Sequence, residues 1–112
     1  MNEITKNIEQ LEILNKIKNA VLELEPEAEV YLFGSRARGD YNEDSDWDLL
    51  ILLPGKIDYE RKKKIFDKLY DIQLILNQVF NTFINSNQNW NSNEILKQSF
   101  FYDNVKTESI LI

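Results

Sequence analysis

The chain has 112 residues, contains neither cysteine nor histidine, and carries a formal net charge of -6. Disulfides, thiolate or imidazole chemistry and the usual structural zinc sites are therefore excluded, and carboxylates and water remain as acid and base groups near neutral pH. The length fits a single domain, 1–112, and the acidic balance argues against direct nucleic-acid binding through bulk charge. Because a long apolar run and a signal-like N-terminus are both missing, we expect a cytoplasmic protein without a membrane segment.

The chain begins with a predicted helix and a predicted strand. Apolar residues recur at helical spacing over about residues 3–24, which predicts an amphipathic helix that ends before Pro26. The run 29–33 predicts a short strand that leads directly into Gly34. A residue without a Cβ at this point lets backbone amides come close to a ligand.

Two aspartates one residue apart follow this glycine. Asp46 and Asp48 flank Trp47 at the beginning of an apolar run, 47–53, that predicts a buried strand. Alternate side chains of a strand share a face, so both carboxylates should point to one place while Trp47 turns into the core. Paired carboxylates suit Mg²⁺, which is commonly held by one or two protein carboxylates together with substrate phosphates and water.

The Gly-Ser pair predicts an anion site. Backbone amides at the start of a helical turn, together with the hydroxyl of Ser35, suit the terminal phosphates of a nucleoside triphosphate, and Ser35 can also cap that turn. A Gly-Ser or Asp-x-Asp pair alone is weak, but their order on adjacent strands predicts a functional segment, 34–48. Arg36 and Arg38 could add phosphate contacts, or they could hold the following acidic loop by ion pairs.

The second half of the chain leaves two interpretations open. Helical spacing predicts a second helix over 59–69, and the apolar runs 70–76 and 79–84 then predict two strands joined by a turn at Asn77-Gln78. The helix could instead continue to about residue 76, because short apolar runs do not separate helix from strand.

A terminal helix is predicted over about residues 93–105, after a polar loop. Together the elements predict an α+β fold in which a small sheet, mixed or antiparallel, is flanked by helices.

The segment Gly34-Ser35-Arg36-Ala37-Arg38-Gly39 through Ser45-Asp46-Trp47-Asp48-Leu49 resembles the minimal nucleotidyltransferase domains of the DNA polymerase β superfamily. The order of the predicted elements fits that polymerase-β-like fold. The resemblance implies that Gly34 and Ser35 bind the triphosphate, and that Asp46 and Asp48 are catalytic ligands of two Mg²⁺ ions. The implied reaction transfers a nucleoside monophosphate, AMP from ATP, to a hydroxyl group and releases pyrophosphate.

The resemblance also implies a third carboxylate on a later strand, where it helps to bind metal and can accept the proton of the acceptor hydroxyl. Asp71, at the start of the predicted strand after the second helix, is the candidate for this catalytic and metal-binding position. A register shift of two residues would place Gln73 there instead, and the next strand would offer Asn81. Neither amide can act as a base.

Small proteins that resemble this chain are often antitoxins of a helical HEPN-type RNase toxin, which they block by binding and by attaching AMP to a toxin tyrosine. The resemblance therefore implies a HEPN-type toxin protein as partner. An aminoglycoside-type adenylyltransferase fits the length less well, because such enzymes usually need an additional domain to bind the drug.

Two further interpretations remain. The chain could be a non-catalytic, nucleotide-binding antitoxin that acts by binding, for which a surface of Trp90 and Phe100-Phe101-Tyr102 would matter, although aromatic residues at those spacings are more often in the core. It could also be an unrelated α/β domain in which both motifs match by coincidence.

Overall fold

A computed structural model describes the backbone of residues 3–112 and the side chains of residues 7–112. The first half of the chain contains α1 (Glu3–Leu24), β1 (Glu29–Phe33), α2 (Ser35–Arg38) and β2 (Trp47–Leu53). The second half contains α3 (Tyr59–Leu76), β3 (Phe80–Ser86), α4 (Asn87–Ser92), α5 (Glu94–Lys97), α6 (Phe100–Glu108) and β4 (Ile110–Leu111). None of the helices in residues 3–112 is long and apolar enough to cross a membrane.

The strands form one mixed sheet in the order β3-β2-β1-β4. β1 pairs antiparallel with both β2 and β4, whereas β3 runs parallel to β2. Parallel neighbours need a crossover connection, and α3 supplies it between β2 and β3. The predicted fold class, α+β with a small mixed sheet flanked by helices, is confirmed.

The sheet separates two apolar layers. The side chains of β2 alternate between them, so that its odd-numbered residues face α1 and α3 and its even-numbered residues face the C-terminal helices. The first layer includes Leu14, Ile17, Val21, Trp47, Leu49, Ile51, Ile65 and Leu69. The second layer includes Phe33, Leu50, Leu52, Trp90, Tyr102 and Val105. Asp48 therefore emerges on the face that the C-terminal helices cover.

The predicted hairpin over 70–84 is wrong, and the longer form of the second helix is confirmed. Residues up to Leu76 belong to α3, and Asn77 closes it in a left-handed conformation, with φ 53° and ψ 48°. The Asn-Gln pair thus marks the end of a helix and not a hairpin turn. Gln73 accepts a hydrogen bond from the backbone amide of Phe80 at 2.7 Å, which links the last turn of the helix to the first residue of β3.

The predicted terminal helix is interrupted. α5 ends at Lys97, and Ser99 then adopts an extended conformation, with φ -84° and ψ 150°, at the N-cap of α6. Its hydroxyl accepts a hydrogen bond from the amide of Tyr102 at 3.1 Å. Since an extended residue cannot lie inside a helix, this cap begins a new helix, which continues to Glu108.

Most of the aromatic residues near the C-terminus lie in the core. Trp90 and Tyr102 are buried and Phe101 packs against them, whereas Phe100 is 89% exposed. The structure therefore agrees with the core interpretation for three of these four side chains.

Candidate active site

The connection from β1 to α2 depends on Gly34. Its backbone has φ 76° and ψ -158°, a conformation that L residues rarely adopt. A Cβ built here would overlap the carboxylate of Asp48 and would lie only 3.1 Å from its Cγ. Glycine therefore lets the chain turn into α2 in direct contact with this carboxylate.

Gly34, and not Ser35 as predicted, occupies the N-cap position of α2. Its carbonyl oxygen accepts hydrogen bonds from the amides of Ala37 and Arg38 at 3.1 and 3.0 Å, and Ser35 is the first residue of the helix. The side chain of Ser35 lines the cleft beside the two aspartates.

One amide side chain joins the two aspartates. Asp48 pairs in register with Asn81 on the parallel strand β3. The Nδ2 atom of Asn81 donates to Asp46 Oδ2 at 3.1 Å and to Asp48 Oδ1 at 3.0 Å. The structure thus brings both predicted carboxylates together, and Trp47 between them is fully buried, as predicted.

These groups line an open cleft of about 480 Å³. The lining side chains are all polar: Ser35, Asn42, Asp44, Ser45, Asp46, Asp48 and Asn81. Hydroxyl, carboxylate and amide oxygens are the donors that a hard divalent cation takes, and an apolar ligand would find little to bind here.

The donor set fits Mg²⁺ bound together with a phosphate-containing ligand. Asp46 and Asp48 provide two carboxylates at one place, which is the protein contribution that such an ion commonly has. Across the part of the chain that the structure describes, no group of three or more Asp, Glu, His or Cys side chains is arranged to hold a metal. Asp46, Asp48 and the amide of Asn81 are therefore the groups that converge in this cleft.

Arg36 holds the loop between α2 and β2. It is 7% exposed, and its Nη2 atom donates to the carbonyl oxygens of Asn42, Glu43 and Ser45 at 3.3, 3.4 and 3.0 Å. Its guanidinium lies 4.0 Å from the ring centroid of Trp47. Burial lowers the pKa of Arg36, but a guanidinium remains charged in proteins. The donors of Arg36 are therefore directed at the loop, although at backbone carbonyls and not at the acidic side chains.

Arg38 forms ion pairs at the surface. Its Nε atom lies 3.3 Å from Asp40 Oδ1, and its Nη1 atom lies 3.0 Å from Glu108 Oε2 at the end of α6. The second of the two interpretations for this arginine, loop-holding ion pairs, agrees with these contacts. The pair with Glu108 also connects α2 to the C-terminal helix.

The predicted position of the third carboxylate is wrong. Asp71 lies in α3 with an exposed side chain, because residues 70–76 are helical and not a strand. Gln73 belongs to the same helix and accepts the first amide of β3. The strand position opposite Asp48 is occupied by Asn81, which was one of the open alternatives. The sequence did contain a signal for this register. Asparagine is a common helix C-cap, so Asn77 could have indicated that the helix ends there and that the strand begins after it.

Comparisons with known sequences agree on one family. The family described as Nucleotidyltransferase domain matches residues 14–103. A protein of Methanocaldococcus jannaschii that is provisionally named a protein adenylyltransferase is 56% identical over 36 residues, which are 32% of this chain and 36% of that protein. The matched segment thus spans about a third of the length of this curated relative.

Solved structures share the fold. A toxin-antitoxin structure with AMP-PNP superposes with a TM-score of 0.59 at 21% identity, over 87% of this chain and 69% of that one. A mutant of the MntA-HpeT toxin-antitoxin gives 0.58 at 17% identity over the same shares. A provisionally named nucleotidyltransferase from Sulfolobus solfataricus gives 0.56 at 25% identity, over 96% and 83%. At their identities the first two likenesses concern the fold alone.

Proposed function

Because the chain belongs to the nucleotidyltransferase domain family, of the polymerase β superfamily, we propose that it transfers a nucleoside monophosphate from a triphosphate to a hydroxyl group. The proposed donor is ATP, with Gly34 and Ser35 at the phosphates and Asp46 and Asp48 as Mg²⁺ ligands. The observation that carries this proposal is the contact between Gly34 and the Asp48 carboxylate, since the turn that we propose for phosphate lies directly against a proposed cation ligand.

The proposed reaction is a substitution at the α-phosphorus. The acceptor oxygen forms a bond to this phosphorus, the bond from phosphorus to the oxygen that bridges to the β-phosphate breaks, and pyrophosphate leaves. The proton of the acceptor hydroxyl passes to water. When bound, Mg²⁺ supplies neutralisation of the charge on the phosphoryl oxygens.

The residues of the chain mainly supply positioning. The turn at Gly34 offers backbone amides and the Ser35 hydroxyl to the phosphates, and Arg36 fixes the loop that leads into β2. The fixed loop leads to Asp46, whose carboxylate accepts a hydrogen bond from the same Asn81 amide as that of Asp48. This is chemistry that needs neither histidine nor cysteine.

The proposed biological role is that of an antitoxin that modifies its toxin. The similarity to two toxin-antitoxin structures supports a toxin protein as partner, and we propose a tyrosine of a HEPN-type toxin as the hydroxyl acceptor. Both Asp46 and Asn81 are exposed, so a hydroxyl on another protein can reach the site.

Asn81 favours a second candidate function. An amide cannot accept a proton, so this position provides no general base for the acceptor hydroxyl. A chain that binds Mg²⁺ and nucleotide and inhibits its toxin only by contact would need no such base. This non-catalytic antitoxin is the alternative to the transferase.

Label transfer from ATP carrying ³²P in its α-phosphate separates the two functions. The wild type and an Asp46→Asn, Asp48→Asn double variant are incubated with Mg²⁺, with lysate of the source cells and with the product of the neighbouring gene. A protein band labelled only by the wild type would support transfer and identify the acceptor. Magnesium-dependent ATP binding without any labelled protein would support the non-catalytic antitoxin. A wild type that neither binds ATP nor labels a protein would contradict both functions.

A further inference from the structure

We propose that Asn81 occupies the third ligand position of the metal centre and that its neutral amide limits the site to one divalent cation per bound nucleotide. The inference rests on the proposed function, because it concerns the cation that accompanies a nucleoside triphosphate. Asn81 is then a positioning residue that sets the number of bound ions and the rate of transfer.

The position of Asn81 follows from strand register. β3 runs parallel to β2, and the pair Asp48 and Asn81 places both side chains on the same sheet face at the beginning of their strands. The Nδ2 atom lies 3.1 Å from Asp46 Oδ2 and 3.0 Å from Asp48 Oδ1. A carboxylate at residue 81 would therefore stand within contact distance of both aspartates, as a third ligand must.

The two oxygens of Asp48 have different neighbours. Oδ1 accepts the hydrogen bond from Asn81, whereas Oδ2 is the atom that a Cβ on Gly34 would meet first. The carboxylate thus offers one oxygen to the phosphate-binding turn and has the other engaged by the amide. A cation that accompanies the phosphates belongs on the Gly34 side, and the amide NH₂ fills the side where a second ion would need a ligand.

The charge of the cleft also favours a single bound cation. With Asn81 the cleft centre has two converging carboxylates; Asp44 also lines the cleft, but in the described residues it forms no metal-holding group of three with them. A carboxylate at residue 81 would add a third negative charge and an anionic ligand beside the two aspartates, and the neutral amide adds neither. The amide also stabilises the pair without metal, because its donors bind both carboxylates.

The consequence is a site that holds a nucleotide and one cation but transfers slowly. A carboxylate at residue 81 would add both a ligand for a second ion and a proton acceptor for the hydroxyl. Because a positioned general base contributes roughly 10² to 10⁴ in rate, we expect Asn81→Asp to raise label transfer on the order of 100-fold.

Manganese titration tests the inference without relying on activity. Free Mn²⁺ is measured by electron paramagnetic resonance while the ion is added to the full chain saturated with a non-hydrolysable ATP analogue. We expect one bound ion per chain for the wild type and two for Asn81→Asp. Asn42→Asp is the matched control: it adds the same charge to the same cleft, and Oδ1 can still accept the hydrogen bond from the Asp44 amide. This control should bind one ion.

Melting in the presence of EDTA gives a second readout. Asn81→Asp should melt at a lower temperature than the wild type, because it replaces a double donor with a third repelling carboxylate, and excess Mn²⁺ should reverse the loss. Asn42→Asp should melt close to the wild type in both conditions.

The possible outcomes separate this inference from the proposed function. Two ions on the wild type, or one ion on folded Asn81→Asp, would overturn the inference while the nucleotide site stands. A wild type that binds no nucleotide with Mn²⁺ would instead overturn the proposed function, and the inference with it. The ion count of the wild type remains decisive even if Asn81→Asp does not fold.

Discussion

The two halves of the cleft are built differently. On the β1–β2 side, Gly34 contacts Asp48, and the connecting loop is held by the buried guanidinium of Arg36. On the β3 side, the strand contributes Asn81, an exposed amide that strand register places opposite Asp48 and that donates to both aspartates. The side proposed to hold phosphate and cation is thus fixed by packed and hydrogen-bonded groups, whereas the side facing the acceptor has a neutral residue. We therefore expect that nucleotide binding and transfer can be separated by mutation.

The largest expected effect is on the β1–β2 side. The Asp46→Asn, Asp48→Asn double variant should lose magnesium-dependent nucleotide binding, and transfer should fall by about 100-fold or more, because both anionic ligands become neutral. Equilibrium binding of a labelled ATP analogue, with and without EDTA, measures the first effect. Since neither carboxylate is in the apolar core, the melting temperature should not fall. Unchanged Mg²⁺-dependent binding would place the nucleotide elsewhere.

The second largest effect is expected when the contact between Gly34 and Asp48 is disrupted. Gly34→Ala should cost about 1–3 kcal/mol in backbone strain, and its Cβ should also displace the Asp48 carboxylate, so that nucleotide binding is lost. Chemical denaturation and nucleotide titration measure the two effects separately.

Gly39→Ala is the matched control for this variant. Gly39 also has a positive φ, 95°, but a Cβ there would meet nothing within 4 Å. It should lose about 1–2 kcal/mol of stability and still bind nucleotide. Equal loss of binding in both alanine variants would mean that backbone strain, and not contact with Asp48, explains the requirement for glycine.

The same substitution at Arg36 and at Arg38 tests whether the buried arginine holds the loop. Arg36→Gln should lower the free energy of unfolding by about 1.5–3 kcal/mol, because carbonyl oxygens of the loop lose a charged donor. Arg38→Gln removes exposed ion pairs and should change stability little. Urea denaturation compares them, and weakened nucleotide binding only in Arg36→Gln would agree with loop positioning. A larger effect from Arg38 would reassign it to the phosphate site.

The smallest expected effect lies away from the cleft, at Tyr31 on β1. Its hydroxyl donates to the Glu29 carboxylate, and this hydrogen bond, followed by burial and the negative charge, raises the pKa of Tyr31 to about 12. The protonated phenol is favoured in the folded state, so its contribution is complete below the ordinary pKa near 10 and is lost as the pH rises to about 12. The free energy of unfolding should therefore fall less steeply in Tyr31→Phe over this range, and equal slopes would contradict the hydrogen bond.

The β1–β2 side was predictable from sequence because its signals are local. The backbone conformation at position 34 is one that favours glycine. The alternation of Asp46, Trp47 and Asp48 follows from strand geometry. The buried position of Trp47 is confirmed for the same reason. The contacts of Arg36 were less accessible, since its partners are backbone carbonyls that no side-chain pattern reveals.

The β3 side was mispredicted because some apolar residues of α3 are exposed, so that the apolar pattern does not mark the buried face of the helix. Leu74 and Ile75 are 64% and 80% exposed, so the helical stripe is obscured near its end and the run resembles a strand. The error moved the third carboxylate to Asp71, whereas the helix cap at Asn77 brings Asn81 to the site. Register between β2 and β3 is a tertiary property that the local pattern does not fix.

A crystal structure with Mn²⁺ and a non-hydrolysable ATP analogue would count and locate the ions, because the anomalous signal gives the position of each one. We expect one manganese peak between Asp46 and Asp48, with the triphosphate against Gly34 and Ser35. A second peak beside Asn81 would contradict a site that holds one cation. Nucleotide in the neighbouring cavity of about 330 Å³, which Gln10, Tyr41, Trp47 and Gln78 help to line, would contradict the proposed phosphate site.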